Sequence, residues 1–504
     1  MNRKWVVSAA TIAAAVMVFA PVFAQVGDTP GQIIKTYNWK FGTNQVADIS
    51  AGDSREMMVS SGCDVNGDGY EDLLVGDRDY DYLAARDDNG RAWLFLGGLS
   101  GLSTTPSLTF NPPLNNTNGF FGTQVACAGD VDNDGYEDIM IGMDNYDSSF
   151  IDEGAVFVYH GSATGPGTTH TWMARGNSQF AHFGISLDGA GDVNNDGYDD
   201  IIVGTLELYS YSGHDAYIWF GGAGGLGVAG LPTNADWYVT GPNLGNQFGR
   251  IVRGMGDING DGYDDIMIAD QGYDGGGSNT GAVYVWHGSA TGPVNPGTVA
   301  TSNWSATSGQ VEARLGFGGD GVGDLNCDGY DDIAIGAYLY DNPEVNEGKV
   351  FVWFGSAGGL GSNGTPANAD WSAETNVGAS MGYVVRPGGD VNGDGCAELL
   401  VTAYNYPYDA TGGALAGAGA WFMWSGSAGG LGDNGTPANA DFAGYCDQTG
   451  ALLGRDDAGA ADGNGDGLDD IFVAAVRYDD PEVDEGVIFG YYSGLKAFLP
   501  IVVR

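Results

Sequence analysis

Positive charge is scarce in this sequence: 18 Lys and Arg stand against 65 Asp and Glu in 504 residues, a formal charge of −47. Such a chain is a poor partner for nucleic acid or for an anionic membrane surface, and it attracts cations. Cysteine is scarce too. The five, Cys63, Cys127, Cys327, Cys396 and Cys446, show no C-x-x-C or zinc-like spacing, and an odd number leaves at least one thiol unpaired. A disulfide framework is therefore not what holds the fold together, although Cys63 and Cys127 make one candidate pair between neighbouring repeats. The five histidines include no H-E-x-x-H arrangement. Beyond the N-terminus no apolar run is long enough to cross a bilayer. Long helices are disfavoured by 88 glycines, since each one inside a helix costs about 1 kcal/mol relative to alanine. What is plentiful is core material: 43% hydrophobic residues, with 12% aromatic, exclude a disordered acidic tail.

The segment 1–24 reads as an export signal. Arg3 and Lys4 precede an apolar run from Trp5 to Phe19, and Val22-Phe23-Ala24 offers a cleavage site. The run is shorter than the ~20 residues of a membrane anchor. The expectation is a secreted, extracellular or cell-surface protein with no membrane span after cleavage. A folded region over 25–494 follows, then a short apolar tail, 495–504, without an L-P-x-T-G sorting signal.

One phrase recurs seven times, with a mean period of about 66 residues. It runs Asp64, Asn66, Asp68, Tyr70, Asp72 at positions 1, 3, 5, 7 and 9, with glycine at 6. The next copies read Asp130, Asp132, Asp134, Tyr136, Asp138, then Asp192, Asn194, Asp196, Tyr198, Asp200. The fourth and fifth read Asp257, Asn259, Asp261, Tyr263, Asp265 and Asp324, Asn326, Asp328, Tyr330, Asp332. The sixth departs at its end, Asp390, Asn392, Asp394, Cys396, Glu398. The seventh reads Asp462, Asn464, Asp466, Leu468, Asp470. One copy would be ordinary turn chemistry; seven in phase would not.

Each phrase leads into a buried strand such as Leu73-Leu-Val75 or Ile201-Ile-Val203. A second strand follows after a polar stretch, then a glycine-rich turn, then a segment centred on Trp172, Trp237, Trp304, Trp371 or Phe442. The stretch before each phrase supplies a fourth strand. Four strands repeated seven times describe an all-β, seven-bladed β-propeller with antiparallel blades. The seventh repeat ends after its third strand, and Tyr37-Asn38-Trp39 resembles the missing outer one. Residues 36–41 are therefore expected to close the ring by pairing with the last blade.

A Phe-Gly element stands nine residues before the first Asp at Phe121-Gly122, Phe183-Gly184 and Phe248-Gly249. Leu315-Gly316, Met381-Gly382 and Leu453-Gly454 are variants; the first repeat has Arg55-Glu56, and only Gly336-Ala337 keeps the Gly-Ala of a Gly-Ala-Pro element. This pattern resembles the FG-GAP repeats of the propeller head of integrin alpha subunits and of many exported bacterial proteins. The resemblance implies metal-binding loops and a recognition or cell-adhesion role.

The donor chemistry of the phrase favours Ca²⁺, up to seven ions. Carboxylates and amides at 1, 3 and 5, a backbone carbonyl at 7 and a carboxylate at 9 are hard oxygen ligands in the number calcium takes. An EF-hand loop would need an acid at position 12, where Val75, Ile141, Val203, Ile268, Ile335, Val401 and Val473 stand. A metal-free turn would leave crowded carboxylates repelling one another.

Enzymatic signals are weak. The string Gly378-Ala-Ser380-Met-Gly382 matches a nucleophile elbow only by coincidence with the sixth Phe-Gly element. The competing readings are a polysaccharide lyase or hydrolase on a propeller scaffold, or a purely structural surface protein. A recurring Tyr-Asp pair in the second-to-third-strand loops reads either as an internal clamp or as part of a ligand face. The second reading offers Tyr80, Tyr82, Tyr146, Tyr340, Tyr406 and Tyr408 to an extracellular protein or glycan, on the face opposite the acid loops. Integrin heads, by resemblance, use that same face.

Overall fold

The computed structural model describes residues 32–34, 37–43, 57–81, 88–113, 118–206, 215–242, 247–407, 415–480 and 484–494. The export segment 1–24, the tail 495–504, Arg55-Glu56, Tyr82 and Tyr408 lie outside them. The architecture is the expected seven-bladed propeller. Blade one pairs Met57–Cys63, Asp72–Asp77, Arg91–Phe95 and Leu108–Phe110 in that order, all antiparallel. Blades two to six repeat this arrangement, with first strands Phe121–Gly129, Ser186–Gly191, Phe248–Gly254, Gly319–Gly323 and Met381–Pro387. Among the described residues the only helical pieces are two single turns, Pro232–Asn234 and Val299–Thr301, and no helix is long and apolar enough to cross a membrane.

The seventh blade is completed from the other end of the chain. Trp39–Gly42 runs antiparallel to Val487–Tyr491, with Trp39 opposite Gly490 and Phe41 opposite Ile488. Lys40 adds an ion pair to Asp480. The expected closure is present, with an addition the sequence did not signal: Gln32–Ile34 lies parallel to Phe442–Tyr445 as a fifth strand of blade six. The N-terminal segment thus spans the joint between the last two blades.

The core lies between blades. The second strand of blade one, Asp72–Asp77, is buried along its whole length. Trp172 of blade two packs with Val203 and Trp219 of blade three in one cluster. Each such large apolar side chain contributes roughly 1.5–3 kcal/mol by leaving water. The Phe-Gly element makes this packing possible. Phe121 is fully buried, Gly122 has φ +89°, and a Cβ on the facing Gly76 would sit 2.5 Å from the Gly122 carbonyl oxygen. The sheets therefore meet backbone to backbone, a contact no larger residue permits. In blade six Thr402 takes the place of Gly76, and its hydroxyl donates to the Gly454 carbonyl at 2.6 Å.

The outer-strand tryptophans are joints as well. The indoles of Trp172, Trp237, Trp304 and Trp371 donate to the carbonyls of Val228, Val294, Ser362 and Asp433 in the following blade, at 2.8–3.0 Å. Trp39 donates to Ser103 of blade one at 3.0 Å, so the closing strand repeats the rule. Disulfides link Cys63 to Cys127 and Cys327 to Cys396, and Cys446 is a buried thiol.

Candidate metal loops and the joints between them

Every Asp phrase lies between the first and second strands of its blade, so all seven loops share one face. In the first loop the Asp64 carboxylate accepts the amides of Asp68 and Gly69 at 3.1 and 2.8 Å. Asp68 in turn accepts the Tyr70 amide at 3.1 Å. These bonds wind the chain tightly around its position-1 acid, and the same pair of bonds recurs at Asp130, Asp192, Asp257, Asp324, Asp390 and Asp462.

Position 9 also braces the loop. Asp72 accepts the Val65 amide at 3.1 Å and the Gly97 amide at 2.7 Å, tying the loop to the turn after the third strand. Asp138, Asp200 and Asp332 do the same. Burial, with repulsion from neighbouring acids, pushes Asp72 and Asp332 to about 7 and Asp138, Asp200, Asp265 and Glu398 to about 8, against the opposing amide bonds. Asp470, which also receives Asn464, reaches about 9.

The residue at position 8 was not singled out from the sequence, yet it joins the loops. Glu137 accepts the Asp64 amide at 3.0 Å from the neighbouring blade. Asp199, Asp264, Asp331 and Asp469 accept the amides of Asp130, Asp192, Asp257 and Asp390 at 2.6–2.8 Å. Glu71 accepts the Asp462 amide at 2.7 Å and completes the circle. The exception is Ala397 in the sixth loop, which has no carboxylate; there Cys327–Cys396 bridges the fifth and sixth loops. The available signal was an acid directly before position 9 in six of the seven phrases.

The donor set fits a hard cation. Carboxylate oxygens of Asp130, Asp132 and Asp134 lie within 4.8 Å of one another, as do those of Asp390, Asp394 and Glu398. Among the described residues no lysine or arginine pairs with a loop acid; the imidazole of His160 lies beside one loop, its Nδ1 3.0 Å from Asp132. Position 3 supplies oxygens without a hydrogen-bond partner, Oδ1 of Asp132 and Oδ1 of Asn194. Converging oxygens without a countercharge are what a divalent ion neutralises.

The other sequence candidates take structural places. His160 and His287 directly follow the third strands Ala155–Tyr159 and Ala282–Trp286. Ser380 is buried and leads into the strand Met381–Pro387, with no helix after it, so no nucleophile elbow forms. Tyr80, Tyr146, Tyr340 and Tyr406 are half-buried. Their rings meet Trp93, Phe157, Phe351 and Phe422 edge-on at 5.2–6.0 Å, and their carbonyls accept the amides of Gly90, Gly154, Gly348 and Gly419. Asp147 and Asp341, the second members of two pairs, each cap their own loop at 2.7 Å. The Tyr-Asp pair is an internal clamp in these blades, and in blade six Tyr406 holds the clamp bond.

Comparison with known proteins agrees with this geometry. The FG-GAP repeat profile matches residues 59–95, 254–286 and 319–353. Integrin alpha-5 of Xenopus laevis is 27% identical over 236 residues, which are 46% of this chain and 21% of that protein. Integrin alpha-6 of Homo sapiens is 32% identical over 143 residues, 28% of this chain and 12% of that one. The chain thus spans only about a fifth or less of the length of these relatives. Among solved structures, the exotype rhamnogalacturonan lyase YesX aligns over 87% of this chain and 72% of its own at 14% identity, with a TM-score of 0.37, too distant a likeness to support an argument. Taken with the Phe-Gly joints of blades two to four and their Leu-Gly or Met-Gly variants in blades five to seven, the matches show FG-GAP repeats in this chain and a likeness to integrin alpha subunits.

Proposed function

We propose that this protein is an exported, Ca²⁺-stabilised propeller acting as a recognition or adhesion module rather than an enzyme. The observation that carries the reading is the set of homologous loops whose oxygens converge without a lysine or arginine countercharge among the described residues. Up to seven ions, held by the residues at positions 1, 3, 5, 7 and 9, would rigidify one face. The opposite face carries the second-to-third-strand loops and the connections between blades, which differ from blade to blade. Variable loops on a rigid frame are suited to an extracellular protein or glycan ligand. Tyr80, Tyr82, Tyr146, Tyr340, Tyr406 and Tyr408 belong to those loops; four of the six are clamps that set loop shape, so the acids and apolar tips beside them are the better contact candidates.

The test is thermal unfolding of metal-free protein with and without added Ca²⁺. An ion that binds only the folded state stabilises it by about 2.7 kcal/mol per site at a hundredfold excess over Kd. Calcium is expected to raise the melting temperature steeply, and Asp130→Ala with Asp134→Ala to remove one bound ion. An identical melting curve in both conditions rejects the calcium reading.

A further inference from the structure

The channel at the propeller axis contains a feature at odds with the charge of the chain. Five of its 18 basic residues, Arg78, Arg250, Arg253, Arg386 and Arg455, line a single cavity of about 130 Å³. The first strands of all blades run toward the acid loops, as Cys63 runs into Asp64. Residues at the beginnings of those strands, Arg250 and Arg455 among them, therefore mark the opposite mouth. Arg78 and Gln271 immediately follow the second strands Asp72–Asp77 and Ile266–Asp270, at the same end.

The arginines are not equivalent. The two deeper ones are committed to acids inside the channel. Arg386 donates to Asp457 and Asp320 at 3.0 Å, and Arg253 stands 3.6 Å from Asp320 and 4.0 Å from Asp188. At the rim, Arg78 lies over the Phe120 ring at 4.1 Å, with Asp79 at 3.8 Å. Asp456 also lines the cavity and accepts the Met57 amide at 2.8 Å. Arg250 is half-buried and has no carboxylate partner among the described residues. Beside it Gln271 is 1% exposed, and neither its Oε1 nor its Nε2 has a hydrogen-bond partner. An enclosed amide without partners is costly unless something binds it.

We propose that this mouth binds a small carboxylate ligand, with Arg250 and Gln271 as its contacts. A guanidinium presents parallel N–H groups to the two oxygens of a planar carboxylate. The Gln271 amide nitrogen adds a donor, and Met58, Ile251 and Val384 in the same wall give the carbon skeleton an apolar bed. The aspartates below, already paired with Arg253 and Arg386, keep the site from drawing a second anion deeper. This site goes beyond the recognition reading and is separable from it, since it depends on no acid loop and on no metal.

Isothermal titration calorimetry of the full chain, in low salt with Ca²⁺ present, tests it with succinate, D-glucuronate, inorganic phosphate and D-glucose. Succinate or D-glucuronate is expected to bind and D-glucose not to; which of the two binds tells an acidic chain from an acidic sugar. Arg250→Gln should weaken binding about tenfold or more. Gln271→Met, close in size, should weaken it with the fold kept, and it decides the matter if the arginine variant does not fold. Failure of both carboxylates to bind overturns the proposal. So does tighter binding of phosphate, or unchanged affinity in a folded variant. None of these failures alters the calcium dependence of melting, so the two readings fall separately.

Discussion

The Oε2 atom of Glu71 accepts the backbone amide of Asp462 at 2.7 Å, although 391 residues separate them. Asp64 and Glu137, neighbours in the repeat, make the same bond at 3.0 Å. The seventh joint of the ring is thus built like the first, and chain ends far apart in sequence meet by the local rule that joins all the other neighbouring loops except the fifth and sixth.

Glu71→Ala is expected to destabilise the protein by roughly 1–3 kcal/mol, because a part-buried amide loses its carboxyl acceptor. Urea unfolding measures the loss. Glu137→Ala should cost about as much; a cost confined to one of the two would mean the joints are not equivalent.

Trp39 is 3% exposed and donates across the joint to Ser103. Trp39→Ala is therefore expected to cost about 3–5 kcal/mol, the usual range for deleting a buried indole. Val487–Tyr491 would keep its pairing with Asp470–Ala475 but lose its outer neighbour, and hydrogen exchange in that strand should accelerate. Unchanged exchange there would count against closure by Trp39–Gly42.

The sixth loop lacks the position-8 acid, and Cys327–Cys396 stands at that joint. Replacing both cysteines by alanine should cost about 2–4 kcal/mol. Adding Ala397→Asp in that background should recover part of the loss by restoring an acceptor for the Asp324 amide. No recovery, measured by thermal melting, would show that the disulfide does not stand in for the missing carboxylate.

Glu347 supplies a pH test away from the acid loops. Burial first, then repulsion from Glu374 and Glu344, pushes its carboxyl up to about 7, against the pull of the Asn342 amide and Lys349. The folded value lies above the unfolded one of roughly 4.3. Between those values the folded state binds the extra proton, so the cost of this group is absent near pH 4 and grows as pH rises through 7. Glu347→Gln should raise the melting temperature at pH 8 and leave it unchanged at pH 4. An equal effect at both values would mean that the carboxyl does not titrate in this range.

The repeated phrase made much of this legible. Aliphatic runs after each Asp loop had to be buried strands, and Tyr37-Asn38-Trp39 matched the outer strand the last repeat lacked. Those are periodic, local signals, and the structure retains them. Position 8 escaped notice because its acid belongs to one loop by sequence and serves the loop of the neighbouring blade.

By itself the sequence determined the number of blades, the place of the acid loops and the excess of negative charge, because each is written into a single repeat and copied along the chain. Tertiary structure alone decided that Tyr80 and its equivalents clamp their own loops, that Gln32–Ile34 adds a fifth strand to blade six, and that arginines from four blades line one cavity at the axis. Arg250 and Arg455 share one repeat position, seven residues before Asp257 and Asp462, but lie three repeats apart in the chain, and Arg78 and Arg386 come from other blades again. Only the closure of the ring, which brings every blade to a common axis, makes neighbours of them.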